Sequence, residues 1–159
     1  MKEYYLTFVY DERGFGQLQL HNDSLIPLEY RCRTGSINRD GELVRAIEPG
    51  PWWVVGNPAW TTEEAMTITP GKGWKVRMYR EIDGSMIYHG FLIHPDGNVP
   101  GTLGCLGIQN DDALILKERI EQILKRQNKI QVVVTRCDFY GQSNIAVQGT
   151  ENEVREISA

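Results

Sequence analysis

Three cysteines (Cys32, Cys105, Cys137) and three histidines (His21, His89, His94) are the side chains in this sequence best suited to nucleophilic or metal chemistry. All three histidines precede Cys105, so an enzyme built on that thiol reads histidine first and cysteine second. Only Cys32 could serve in the reverse order. Its neighbours Arg31 and Arg33 offer charges that lower a thiol pKa and no other nucleophile context. Cys105 stands between Gly104 and Gly107, just ahead of a helical segment. Glycines there leave the thiol uncrowded and let the amides of Gly104, Cys105 and Leu106 turn toward one point, as an oxyanion hole requires. The bland alternative is a small buried cysteine in a tight turn.

A thiol near neutral pH is mostly protonated, so a nucleophilic Cys105 needs a base. His94 closes a long apolar run, Met86 to His94, beside the turn-forming Pro95 to Gly101, where catalytic groups tend to lie. His89 is five positions away, which in a regular strand puts it on the opposite face, and its expected role is a hydrogen-bonded structural one. Asp96 is placed either to orient His94 or to stabilise the turn. No Cys-x-x-Cys or His-Glu-x-x-His spacing is present, which argues against a metal site, and the glycines near Cys105 make no phosphate loop. No cofactor is expected.

The elements that must position these residues are mostly strands. Tyr4 to Tyr10 and Leu18 to Leu20 alternate as a hairpin around Arg13 to Gly16, and Leu25 to Arg33 reads as another strand. Gly35 to Trp60 is rich in Gly, Pro and Trp and reads as an irregular loop whose aromatics either pack on the core or wall a peptide groove, with Trp53 to Val55 strand-like. Trp74 to Arg80 alternates, Asp83-Gly84 turns, and Met86 to His94 is a buried strand. The one helix spans Asp112 to Gln127, capped by Asn110 or Asp111, with Ala113, Leu116, Ile120, Ile123 and Leu124 as its apolar stripe. Lys117, Glu118, Glu121 and Lys125 fall on its wet face, and Ile130 to Thr135 is a last strand. The fold class is therefore α+β, mostly β with one main α-helix, in a single domain over 1–140 followed by a polar tail over 141–159.

The 159 residues suit one domain with a real core, and 41% hydrophobic and 24% charged residues are ordinary for a globular chain. A net charge of −4 without a basic block disfavours nucleic acid and anionic membrane surfaces as partners. Widely spaced, odd-numbered cysteines are no disulfide framework. The first residues lack a basic stretch leading into an apolar one, so the expectation is synthesis in the cytoplasm without a signal peptide.

The run Ile93-His94-Pro95-Asp96-Gly97, followed by Gly101-Thr102-Leu103-Gly104-Cys105-Leu106-Gly107-Ile108, resembles the catalytic signature of the L,D-transpeptidase (YkuD-like) family. That signature is a strand with Ile-His-Gly, a loop, then Ser/Thr-His-Gly-Cys. Arg33-Thr34-Gly35-Ser36 resembles the family's Ser-Thr-Gly step, and Glu48-Pro49-Gly50-Pro51-Trp52 its Thr-Pro-x-Gly-x-Phe turn. The likeness runs over roughly residues 4–136 and is strong at 93–108. It departs at Leu103, where the family has a second histidine, at Leu106-Gly107-Ile108 after the cysteine, and in a short His94-to-Cys105 interval. Such changes resemble the branch found among phage-encoded and interbacterial-effector proteins.

The resemblance implies a β-sandwich or barrel with Cys105 as nucleophile, His94 as base and Gly104 in the oxyanion hole. It implies acyl transfer or peptidase action on peptidoglycan stem peptides, in the periplasm or cell wall if the protein is delivered there. Thr102, Asp96, Tyr88, His89 and Trp52 are the expected substrate-side residues. A delivery machine or an immunity protein are further partners that this reading leaves open. Two alternatives stand beside it: a catalytically silent binding module of the same fold, and a cysteine amidase with a substrate outside the cell wall.

Overall fold

A computed structural model of the chain describes residues 3–22, 26–69, 71–97 and 104–138. Strands make up 53% of it and one helix stands among them, as the alternating pattern implied. In chain order the strands are β1 Tyr5–Tyr10, β2 Phe15–His21, β3 Leu28–Arg33, β4 Ser36–Ile37, β5 Leu43–Val44, β6 Gly50–Val54 and β7 Ala59–Thr61. A 3₁₀ turn, Glu64–Met66, leads to β8 Thr67–Thr69, β9 Lys72–Ile82, β10 Ser85–Pro95 and β11 Leu106–Ile108. Helix α1, Asn110–Ile123, and β12, Ile130–Arg136, complete the order.

The main sheet closes on itself. Its order β10-β11-β3-β2-β1-β12-β6-β9 returns to β10 through the β9–β10 pairing, while β7 and β8 pair with β9 off that circuit. Closure removes the open edges that would otherwise invite pairing with other chains. Two contacts in the circuit are parallel, β1 with β12 and β10 with β11. Strand alternation fills the interior: Leu6 and Phe8 of β1, Leu18 of β2, Trp52 and Val54 of β6, Trp74 and Met78 of β9, and Val132 of β12 belong to one buried cluster. The helix adds Ala113, Leu116, Ile120 and Ile123 to it, the stripe its 3.6-residue period marks.

Several expectations need correction. The Gly35-to-Trp60 segment is not an irregular loop; it carries the β4–β5 hairpin and β6, which sits between β12 and β9. Pro51 hid that strand. It tolerates the position while its carbonyl accepts from the Arg80 guanidinium at 2.9 Å. Gln109, not Asn110 or Asp111, occupies the N-cap position of α1, with no side-chain cap hydrogen bond. Asp111 and Asp112 lie in the first turn, where the helix dipole favours acids, and both are engaged by Arg31 of β3. The helix stops at Ile123 rather than Gln127, whose side chain instead bonds Tyr4 and Lys129. Lys117 is buried, paired with Glu121 at 3.0 Å and lying 4.1 Å from the centre of the Trp60 ring. The tail over 141–159 lies outside the described residues.

Candidate functional site

His94 and Cys105 are positioned by the parallel β10–β11 pair. Ile93 faces Leu106, His94 faces Gly107 and Pro95 faces Ile108. Ile93, Leu106 and Ile108 are in the core cluster, so His94 and Gly107 point to the other face of the sheet. Cys105 lies just ahead of β11, and its thiol meets the backbone of Leu92 on β10, two residues before His94. Both side chains are buried, at 4% and 7% exposure, yet neither is in the core cluster. Gly107 leaves room beside the imidazole because it has no side chain.

The ring orientation is fixed locally. His94 Nδ1 lies 2.6 Å from the Pro95 carbonyl oxygen. A carbonyl only accepts, so Nδ1 carries the hydrogen and Nε2 of the neutral ring is left as the acceptor, the form a general base needs. Burial lowers the His94 pKa from its ordinary 6.5, against the opposing pull of the Pro95 hydrogen bond and of Asp96 and Glu63. Burial likewise raises the Cys105 thiol, partly offset by a hydrogen bond with the backbone of Leu92. Both shifts favour the uncharged pair, thiol and imidazole, over thiolate and imidazolium.

Gly104 is at φ +86°, a left-handed conformation that suits glycine. A side chain there would also meet Phe91: a Cβ would fall 2.4 Å from Cε1. Phe91 in turn meets the Trp52 ring edge-on at 5.3 Å. Trp52 is 1% exposed and held by its Nε1 donating to the Glu48 carbonyl at 3.0 Å, so it is a core residue and not a wall of a groove. Thr102 lies outside the described residues.

Asp96 does not hydrogen-bond the His94 ring, whose Nδ1 is taken by Pro95. Its amide donates to the Ile108 carbonyl at 2.7 Å, Gln109 donates to its carboxylate at 3.3 Å, and Arg33 stands 3.8 Å away. It therefore ties the end of β10 to β11 and β3, and reaches His94 through charge alone. Gly97 is pinned beside it, donating to the Ala65 carbonyl of the 3₁₀ turn at 3.1 Å. Cys32 is fully buried in the core and burial pushes its thiol well up. His89, expected to be a hydrogen-bonded structural group on a buried strand, is exposed. The first half of β10 pairs only with β9, so this ribbon runs beyond the barrel and its Ser85-to-Gly90 stretch stays in solvent.

Tyr88 does line a groove. On β10 it pairs with Tyr79, and Leu92 pairs with Arg77, so four steps on β10 oppose two on β9. An even excess preserves alternation, and Gly90 at φ +92° absorbs it. Tyr88, Leu92 and His94 thus share the outer face with Lys75, Arg77 and Tyr79 of β9, whose alternate residues Trp74, Val76 and Met78 are in the core. A cavity of about 310 Å³ opens on this face, lined by Asn57, Lys75, Arg77, Tyr79, Tyr88 and Leu92 among others. Its Leu92 wall is the residue whose backbone meets the Cys105 thiol. Arg77, Lys75 and Leu92 were not foreseen as site residues. The alternation of Trp74 to Arg80 marks Arg77 as outward, but only the β9–β10 register places it opposite Leu92.

Among the described residues no group of three or more His, Cys, Asp or Glu side chains is placed to hold a metal ion. No protein-family model, curated protein or solved structure matches the chain.

Proposed function

We propose that this protein is a cysteine acyl-transferase or peptidase of the L,D-transpeptidase type, acting on peptidoglycan stem peptides through Cys105. The observation that supports this reading best is at the parallel β10–β11 pair, where the Cys105 thiol meets the Leu92 backbone two residues before His94. The His94 Nδ1 is tied to the Pro95 carbonyl, leaving Nε2 to accept a proton. In the proposed reaction Nε2 of His94 takes the thiol proton as sulfur attacks the scissile carbonyl carbon. The oxyanion is held by backbone amides at Gly104 to Leu106. Collapse expels the leaving amine, which takes the proton back from His94, and leaves a thioester on Cys105. An amine acceptor then gives a crosslink or exchanged residue, and water gives a carboxypeptidase product.

Purified protein and its Cys105→Ala variant, incubated with tetrapeptide muropeptides with and without a free D-amino acid, test this by mass spectrometry. Loss or exchange of the terminal D-Ala with the wild type only is the expected result. Equal product from both proteins would refute it. One observation favours a second reading, a silent binding module: the Cys105 thiol is 7% exposed and burial raises its pKa. In that case no product forms while the peptide still binds.

A further inference from the structure

We propose that Arg77 is the specificity-determining residue of the outer-face cavity, receiving a free carboxylate of the donor peptide one residue beyond the scissile carbonyl. This rests on the acyl-transfer reading given above. Arg77 is opposite Leu92 in the β9–β10 register, and the Leu92 backbone contacts the Cys105 thiol, so β10 alone separates the strand that carries the guanidinium from the proposed nucleophile. Its carbon Cζ lies 4.5 Å from the centre of the Tyr88 ring. Stacking on an aromatic face restrains the planar group and leaves its edge N–H donors available for a two-point hydrogen bond to a carboxylate.

Charge bookkeeping around the cavity singles out the same residue. Lys75 is the other cation lining it, and Lys75 is committed to Glu63 at 2.7 Å. Among the described residues Arg77 has no carboxylate partner, and it is exposed. The cavity also lacks an acid: its lining is Gly56, Asn57, Ala59 and Val76 together with the residues already named. A cavity of about 310 Å³ fits one or two amino-acid residues rather than a folded partner. Its two tyrosines, Tyr79 and Tyr88, stand with ring centres 5.7 Å apart and supply apolar walls for the peptide stem.

The test compares a tetrapeptide donor ending in a free carboxylate with the same peptide ending in a carboxamide. The wild type is expected to process the acid at least about tenfold more efficiently, as loss of a charge-assisted hydrogen bond implies. Arg77→Gln should bring the ratio of kcat/KM values close to one, chiefly by raising KM for the acid. Arg77→Lys should restore part of the preference. A wild type that treats both peptides alike, or an Arg77→Gln variant that keeps the preference, overturns the proposal. Binding of both peptides to Cys105→Ala and to Cys105→Ala/Arg77→Gln, read by calorimetry, separates the two claims. If the wild type forms no product, the acyl-transfer reading fails; acid-selective binding that disappears with Arg77 then still supports the cavity assignment, and binding indifferent to Arg77 overturns it as well.

Discussion

Replacing Gly104 by alanine tests whether the backbone beside Cys105 is built as described. Two penalties are expected. The first is conformational: a residue with a Cβ at φ +86° costs about 1–2 kcal/mol relative to glycine. The second is steric: the new Cβ falls 2.4 Å from Phe91 Cε1, so the ring must shift by about 1 Å, and overpacking of this kind costs about 1–3 kcal/mol. Together they amount to about 2–5 kcal/mol, or a fall in Tm between about 4 and 20 °C for a chain of this size. Two controls separate the parts. Gly84 has nearly the same φ, +81°, but nothing within 4 Å of its would-be Cβ, so Gly84→Ala should show the conformational part alone. Phe91→Leu removes Cε1 and Cζ and replaces the rigid ring with a branched chain whose Cδ atoms can turn away, so Gly104→Ala should cost less in that background, and the double-mutant cycle should give a coupling of at least about 1 kcal/mol. Thermal melts of the four Gly104/Phe91 combinations decide the matter. A Tm loss under about 2 °C for Gly104→Ala would refute both penalties, and a loss unaffected by Phe91→Leu would refute the contact.

Thiol reactivity and pH offer further checks. Of the three cysteines only Cys137 is exposed, so titration of the native protein with a thiol reagent at pH 7 should give one fast equivalent that vanishes in Cys137→Ser, a slower one from Cys105 that vanishes in Cys105→Ala, and none from Cys32 until unfolding. Because burial lowers the His94 pKa, the acid limb of kcat/KM should fall below pH 6.5, and an acid limb above that value would contradict a buried neutral base. The same shift has a stability sign. The unfolded chain takes up the His94 proton first, so stability should decline as pH drops below 6.5 toward the folded pKa, and His94→Gln should remove that slope in urea titrations. The raised Asp96 carboxyl acts in the opposite sense, adding stability as pH falls through its folded pKa toward 3.8. Thr34 is wholly buried and its hydroxyl accepts from the Ile47 amide at 2.9 Å, so Thr34→Val should cost about 1–3 kcal/mol by urea denaturation, whereas Thr34→Ser should cost less.

How far the sequence foretold the molecule depends on the range of the interactions involved. Period-2 alternation in Tyr4 to Tyr10 and Trp74 to Arg80, and the 3.6-residue stripe from Ala113 to Ile123, express a local choice between inside and outside, and the structure keeps it. The strand Gly50–Val54 broke local rules because its place between β12 and β9 is set by partners some 25 and 80 residues away, and Arg80 takes the Pro49 and Pro51 carbonyls. The expected caps of α1 failed for a related reason: Asn110 opens the helix itself, and Asp111 lies in its first turn, where Arg31 on β3 pairs with it. For the site, Cys105, His94 and Gly104 were legible as types in a glycine-rich setting. Contact with the thiol singles out Leu92, and register alone places Arg77 opposite it, so they were not.

The same geometry bears on the absence of a second histidine at position 103. A histidine base gains from a partner that fixes its tautomer, and here that partner is the Pro95 carbonyl, the next residue on the same strand. The orientation of His94 thus depends on β10 ending as it does. The Asp96 amide is bonded to Ile108 and its carboxylate is approached by Gln109 and Arg33, which together hold that end in place. Asp96 accordingly supports the base through the backbone rather than by touching the ring. An Asp96→Asn change, which keeps the amide bond and much of the shape, should disturb turnover far less than a change at Pro95 that moves its carbonyl. Under the proposed reaction, a His94 held in this way needs no second imidazole, and the leucine at 103 is compatible with it.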